Sequence, residues 1–426
     1  MTTPARPRSS LRRSGGRSAG PAPGLLALLA VLVIAGCLRA PITAVPPVLT
    51  AIGLENGIGA LGLGVLSALP LAGFSAASLL AIPLARTPGP RRAILLAAAV
   101  LTGGILLRSV PDPVALWAGT AVLGFAIAVG NVLLPVVVKE LWPRSIAAVT
   151  GVYTAASAVM AAIAAATIVP LTVALGGDWR SALGAWSIAA ASAALVWWAV
   201  QVRGRVQDRE VATSAPSTRG GSLARVPLAW SVMLYMGLQA ATYYALLAWI
   251  PGMERSIGID DEVSGIHLAI FIGVGIVSGL LASGAAQALP DQRWLSAGSS
   301  ALLAAAALGA LLAPQLALLW IVIAGVSCGA VFPVAVAFIG LRSDDRALTA
   351  RLSAFVQFGG YLIAMAGPAA LGAVAELTGG WEWTLVAIAL LSVLQSAVGY
   401  LAGGARTIDD RMGIQRTRAG ATRLEA

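Results

Sequence analysis

The sequence predicts an all-α membrane protein: twelve transmembrane helices in two six-helix halves, with both termini cytoplasmic. Three observations carry this reading. The 426 residues are 58% hydrophobic and only 11% charged, whereas soluble domains carry about 25% charged residues. Most of the surface must therefore face lipid. Apolar stretches long enough to cross a bilayer, which takes roughly 20 residues, recur along the whole chain. The basic residues fall almost entirely on one side of those stretches.

In order, the stretches are 24–48, 59–85, 93–110, 114–138, 146–174, 181–201, 226–250, 263–286, 295–313, 315–340, 350–374 and 383–403. Gly and Pro recur inside them, which membrane helices tolerate better than soluble ones. Residues 1–23 form a basic tail with no helical pattern, expected to be disordered and cytoplasmic. Residues 24–201 make the first six-helix bundle and 226–403 the second. Between them, 202–225 is rich in Arg, Ser, Gly and Thr and reads as a cytoplasmic linker. A second basic tail occupies 404–426.

A net charge of +10 is a feature of nucleic-acid binders, but its placement points to a membrane. With the termini inside, the first tail holds Arg6, Arg8, Arg12, Arg13 and Arg17. The inner loops hold Arg91, Arg92, Lys139, Arg144, Arg203, Arg293 and Arg342 among others, and the last tail adds Arg406, Arg411 and Arg416. The outer side keeps only Arg108, Arg180 and Arg255. This positive-inside asymmetry sets the orientation. It places a multi-pass protein in the cell inner (cytoplasmic) membrane, with the lipid bilayer and not nucleic acid as its environment. No cofactor or metal is expected, and a monomer is. The two cysteines, Cys37 and Cys328, both lie in apolar spans and imply no disulfide framework. Ile34-Ala35-Gly36-Cys37 resembles a lipoprotein cleavage box behind Arg12-Arg13. Apolar character resumes past Arg39 and further spans follow, so an uncleaved first helix is expected.

The halves share punctuation. Pro47, then Ile52-Gly53-Leu54-Glu55, then Gly59 follow the first span; Pro251, then Ile257-Gly258-Ile259-Asp260, then Gly265 follow the seventh. Gly130-Asn131-Val132-Leu133-Leu134-Pro135 in the fourth matches Gly329-Ala330-Val331-Phe332-Pro333 in the tenth. Gly176-Gly177-Asp178-Trp179 matches Gly379-Gly380-Trp381-Glu382-Trp383. A six-plus-six repeat around a central loop is the layout of the major facilitator fold, whose substrates bind near the midplane between halves.

Polar residues inside the spans mark the candidate site. A charge in the hydrocarbon region costs about 2.5 kcal/mol or more, so Arg39 must face a wet cavity or find a partner. Thr43 is four residues on, on the same helical face. Pro41 and Pro46-Pro47 predict a broken or kinked helix there. Asn131 in the fourth span either donates to a bound anion or bridges two helices. Gln239 and Tyr243 in the seventh span are four apart, and Gln357 and Tyr361 in the eleventh repeat the spacing. Each pair either lines a polar pocket or ties helices together. Arg108, at the outer end of the third span, is expected to snorkel. His267, the only histidine, is a possible proton-coupling group or an ordinary interfacial residue. No Asp or Glu is expected inside any span, so a carboxylate relay of the kind pumps use is expected to be missing.

Longer motifs carry a family resemblance. Cys37-Leu38-Arg39-Ala40-Pro41-Ile42-Thr43 resembles the Asn-Leu-Arg-Pro-x-x-Thr signature in the first helix of the cyanate and 2-nitroimidazole transporter family. Gly130 to Pro135 and Val138-Lys139-Glu140-Leu141-Trp142-Pro143 resemble that family's fourth helix and following loop. Gly237-Leu238-Gln239 with Tyr243-Tyr244-Ala245-Leu246-Leu247-Ala248-Trp249-Ile250-Pro251 is similar to its seventh helix. Arg351-Leu352-Ser353-Ala354 with Gln357-Phe358-Gly359-Gly360-Tyr361-Leu362 is similar to its eleventh. Two departures stand out: Cys37 replaces the asparagine, and the proline is displaced to Pro41. The loop Arg86-Thr87-Pro88-Gly89-Pro90-Arg91-Arg92 resembles the superfamily's basic turn without its aspartate.

The resemblance implies a transporter that moves a small anionic or polar solute by alternating access, and no enzyme. A cyanate-like anion or nitroimidazole-like compound is the expected cargo. Substrate contacts fall to Arg39, Thr43, Asn131, Gln239, Tyr243, Gln357 and Tyr361. The alternative is a multidrug efflux transporter for lipophilic compounds, against which an intramembrane arginine argues.

Overall fold

The computed structural model describes residues 25–86, 89–203, 223–343, 346–405 and 407–408. The tail 1–23, most of the tail 404–426 and of the linker 202–225, and the centre of the basic turn at Arg86–Arg92 lie outside the described residues. Among those described, all regular structure is helical.

The first apolar stretch is not one helix. It is α1 (Leu25–Cys37), α2 (Ala40–Thr43), a 3-10 turn (Pro46–Val48) and α3 (Leu49–Asn56). Proline lacks the N–H that would bond four residues back, so Pro41, Pro46 and Pro47 interrupt the ladder. Eleven longer helices follow: α4 (Ala60–Arg86), α5 (Pro90–Arg108), α6 (Pro113–Leu141), α7 (Ile146–Ala174), α8 (Trp179–Arg203), α9 (Pro227–Ser256), α10 (Asp261–Ala288), α11 (Arg293–Leu312), α12 (Ala317–Leu341), α13 (Arg346–Thr378) and α14 (Glu382–Ala402).

By length and composition, eleven rods are able to cross a membrane, the broken rod Leu25–Asn56 counted as one. The protein is a multi-pass membrane protein. The rod left out of that set is α9, which has the length (30 residues) but carries Gln239, Thr242, Tyr243 and Tyr244 mid-helix. Two helix starts have clear chemistry. Asp112 accepts from the Ala115 amide, 2.8 Å away, at the start of α6, and Asp178 accepts from the Ser181 amide, 3.1 Å away, in the first turn of α8. Such caps satisfy N–H groups that have no helical partner.

Packing divides the rods into two sets, α1 to α8 and α9 to α14, which meet along α4 against α13 and α7 against α10. The contact is close because small residues line it. A β-carbon on Gly64 would sit 2.4 Å from the Pro368 carbonyl oxygen, and one on Gly265 would sit 2.7 Å from that of Ala165.

The large shared part of the apolar core lies toward one end, with a small shared cluster of Ala68, Leu71, Ala240 and Ala364 further along. At that end, Leu49, Ile52 and Leu66 of the first set pack in one cluster with Leu246, Trp249 and Leu371 of the second. The Trp249 indole donates to the Pro368 carbonyl (2.8 Å), and the Leu61 amide donates to Glu376 (2.8 Å). This end holds Trp179, Arg180 and Arg255 and is poor in arginine. Toward the arginine-rich end the core splits in two. One cluster, around Ile94, Leu133 and Trp197, belongs wholly to the first set; the other, around Tyr235, Phe338 and Leu352, belongs wholly to the second. The large apolar clusters thus join the halves at one end and stay within each half at the other, with Ser75 of α4 still donating to the Phe358 carbonyl of α13 (3.2 Å) between them.

Candidate functional site

Arg39 stands in the break of the first rod. It precedes α2 as its capping residue, with φ −118° and ψ −39°. Its amide bonds to the Gly36 carbonyl (3.3 Å), and its own carbonyl accepts from Ile42 and Thr43 (both 3.1 Å). The backbone is therefore anchored on both sides of the turn. The side chain is half-buried and makes no hydrogen bond or ion pair with any described residue. A guanidinium has five N–H donors, so this one is left free to bind.

Three phenols of the second half, Tyr243 and Tyr244 of α9 and Tyr361 of α13, lie within range of its charge. Tyr361 stacks on Phe74 of α4, with ring centroids 5.3 Å apart at 27°. Tyr243 meets Tyr244 edge-on at 5.2 Å and stacks on Phe271 at 5.8 Å. Hydroxyl donors beside a cation suit an anionic oxygen or nitrogen. Flanking aromatic faces suit a flat solute.

The other sequence-predicted residues take distinct places. Thr43 is buried, and its hydroxyl donates to the Ala161 carbonyl of α7 (3.0 Å), which spends its proton on a helix contact. Gln239 is buried one turn before Tyr243, and its Oε1 has no hydrogen-bond partner. Gln357 lies one turn before Tyr361 and donates to Ser353 within its own helix (2.8 Å). Asn131 is exposed on α6. Its neighbour Gly130 packs onto Leu38, where a β-carbon would come within 2.5 Å of the leucine, so α6 abuts the turn that carries Arg39. The structure thus leaves Tyr243 and Tyr361 within range of the Arg39 charge and Thr43 and Gln357 engaged elsewhere.

Two sequence expectations are corrected. Arg108 does not snorkel: it is 2% exposed, and its Nη1 donates to the Pro41 carbonyl at 2.9 Å. The expected lack of an embedded carboxylate also fails. Helix α9 runs on past Pro251 to Ser256 and carries Glu254 with it, 3% exposed. His267, expected as a possible proton-coupling group or an ordinary interfacial residue, is paired with that carboxylate. Its Nδ1 lies 2.5 Å from Glu254 Oε1, and the Ser264 hydroxyl donates to the other carboxylate oxygen. Sequence reasoning also missed Tyr244 and Phe74. Tyr244 was legible as the neighbour of Tyr243; Phe74 had no polar signal to mark it.

Two packed sets of long, apolar, membrane-crossing helices are the architecture of a solute transporter. Residues 28–324 match the Major Facilitator Superfamily, and the chain belongs to that superfamily. Within it, the chain is 34% identical over 379 residues to the 2-nitroimidazole transporter of Escherichia coli (strain K12), covering 89% of this chain and 95% of that one. It is 27% identical over 373 residues to the cyanate transport protein CynX of the same organism, covering 86% and 95%. A bacterial Spinster homologue solved in an inward-facing, occupied conformation shares the fold with a TM-score of 0.70 at 18% identity, over 88% of this chain and 96% of that one.

Proposed function

We propose that this transporter carries a small anionic or strongly polar solute, of the cyanate or nitroimidazole kind, with Arg39 as the charged ligand. One observation carries the reading: a guanidinium held at a helix break, without a hydrogen-bond or ion-pair partner among the described residues, and within electrostatic range of three tyrosines of the other half. Gln239 adds a buried amide with an unpaired oxygen, and Asn131 lies on the neighbouring helix. Thr43 and Gln357 act by holding the site's shape. The free cation disfavours the multidrug alternative, whose lipophilic cargo gains nothing from it.

The cycle is alternating access between two six-helix units, 24–201 and 226–403, joined by the linker 202–225, with twelve spans in all. The positive-inside asymmetry makes the arginine-rich end cytoplasmic. The split core at that end and the shared core at the other then describe a molecule closed to the outside. Rocking exchanges the two arrangements around Arg39. The setting is the bacterial inner membrane, and the working unit is a monomer.

Charge constrains the energetics. An inside-negative potential opposes anion entry by about 2.3 kcal/mol per charge per 100 mV. A proton moving with the anion removes that cost. The Glu254–His267 pair supplies the titratable group, with Arg255 and Asp261 paired beside it and Glu382 bordering the same cavity of about 180 Å³.

Purified protein in liposomes, offered labelled cyanate, nitrate, a nitroimidazole and a lipophilic cation under imposed potential and pH gradients, tests the assignment. Saturable flux of an anion or of the nitroimidazole is expected. Flux of the lipophilic cation alone contradicts it.

A further inference from the structure

The burial of Arg108 leaves more than a helix contact. Proline at 41, 46 and 47 strips donors from the first rod, and the Val45 amide turns to Ile42 instead of Pro41 (3.3 Å). The Pro41 carbonyl is thereby freed, and Arg108 Nη1 takes it. That single bond uses one of five donors. Arg108 Nε and Nη2 are sealed from solvent and have no partner among the described residues. The hydroxyl of Ser67 on α4 is in the same condition.

Both groups border one cavity of about 30 Å³, walled by Pro41, Val45 and Pro46 of the broken rod and by Tyr244 from the other half. No carboxylate lines it. A buried cation without a counter-charge is strongly unfavourable, and its membrane setting removes bulk water as a remedy. The cavity, about 30 Å³, exceeds the ~10–15 Å³ that one water requires and has room for a monatomic ion. Water would satisfy N–H groups but leave the charge uncompensated. An anion does both.

We propose that this cavity is a second anion site, built from Arg108 and Ser67, that holds one small monovalent anion of chloride size. It is separate from the Arg39 site and does not rest on the transport reading. The two adjoin through Tyr244, which lines the cavity and lies in the field of Arg39. The ion neutralises the buried cation behind the transport site, so Arg39 alone presents net charge to the cargo. It also fastens α5 and α4 to the proline break.

Equilibrium binding of radiolabelled chloride to the detergent-purified full chain tests this, with thermal stability followed as gluconate is replaced by chloride. Wild type is expected to show one saturable chloride site and a melting temperature that rises with chloride, because a ligand of the folded state stabilises it by mass action. Arg39→Ala is expected to keep both. Arg108→Gln retains a donor for Pro41 and is expected to lose both, and Ser67→Ala is expected to weaken binding several-fold. If Arg108→Gln fails to fold, Ser67→Ala alone decides, and unchanged affinity there overturns the site. The proposal is equally overturned if wild type binds no chloride, which leaves water in the cavity, or if Arg39→Ala abolishes binding and Arg108→Gln does not.

Discussion

The backbone amide of Leu61, at the start of α4 in one half, donates to the carboxylate of Glu376 in the other half, 2.8 Å away. The first amides of a helix have no partner of their own, and an acid at that position completes them and meets the positive end of the helix dipole. Because the acid comes from the opposite bundle, the cap exists only while this end is closed. An exposed interaction of this kind is worth about 0.3–1 kcal/mol. Glu376→Ala is therefore expected to raise the population open at this end about two- to five-fold. The measurement is the rate at which a membrane-impermeant reagent labels Ser67→Cys in a background without the native cysteines. An unchanged rate means that Glu376 does not hold the end shut.

Gly64 permits the same closure by lacking a side chain. A methyl group there meets the Pro368 carbonyl oxygen at 2.4 Å and the Ala369 Cα at 2.7 Å, and both are backbone atoms that cannot rotate aside. Gly64→Ala is expected to insert and fold but to rest with this end open and to lose most net transport. Spin-label distances across α4 and α13 should lengthen. A variant with wild-type flux would show that the halves part here more easily than their packing implies.

Glu254 and His267 share a hydrogen bond of 2.5 Å in a nearly sealed setting. Glu254→Gln keeps the shape and removes the titratable carboxylate. It is expected to abolish accumulation driven by a pH gradient while sparing exchange of labelled for unlabelled cargo at equal pH. His267→Gln is expected to do the same. Full gradient-driven accumulation in both variants would place the proton elsewhere, the cargo itself included.

Tyr361 contributes a ring and a hydroxyl that separate experimentally. Tyr361→Phe preserves the stack on Phe74 and removes one donor within range of the Arg39 charge. A lost hydrogen bond to a charged group costs about 1.5–3 kcal/mol, so KM for the anion is expected to rise about ten-fold or more with assembly unchanged. If KM is unaffected, the hydroxyl does not face the cargo.

Much of this was readable from the chain because membrane helices obey simple constraints. Apolar run length located the rods, and the prolines at 41, 46 and 47 located the break that holds Arg39. What sequence could not reach was who faces whom. Thr43 and Arg39 share a helical face, yet one hydroxyl bends back onto Ala161 while the guanidinium stays free, and only the packing of α7 decides that. Arg108 looked peripheral because it ends an apolar run; the freed carbonyl of Pro41 draws it inward. Glu254 was lost for a related reason. Hydropathy ended the seventh span at 250, but the helix continues through Pro251 because the second half packs around its last turn. The tyrosines within range of the Arg39 charge lie more than 200 positions along the chain from it, which no local pattern encodes.

Arg39 is where these arguments meet, and anion flux through the Arg39→Ala variant tests them most directly. The assay is initial-rate uptake of the best labelled anion into proteoliposomes at fixed potential, with Arg39→Lys as the charge-retaining control and wild-type insertion verified. Loss of saturable flux in Arg39→Ala with partial recovery in Arg39→Lys is the predicted result. Undiminished flux in Arg39→Ala would contradict the account.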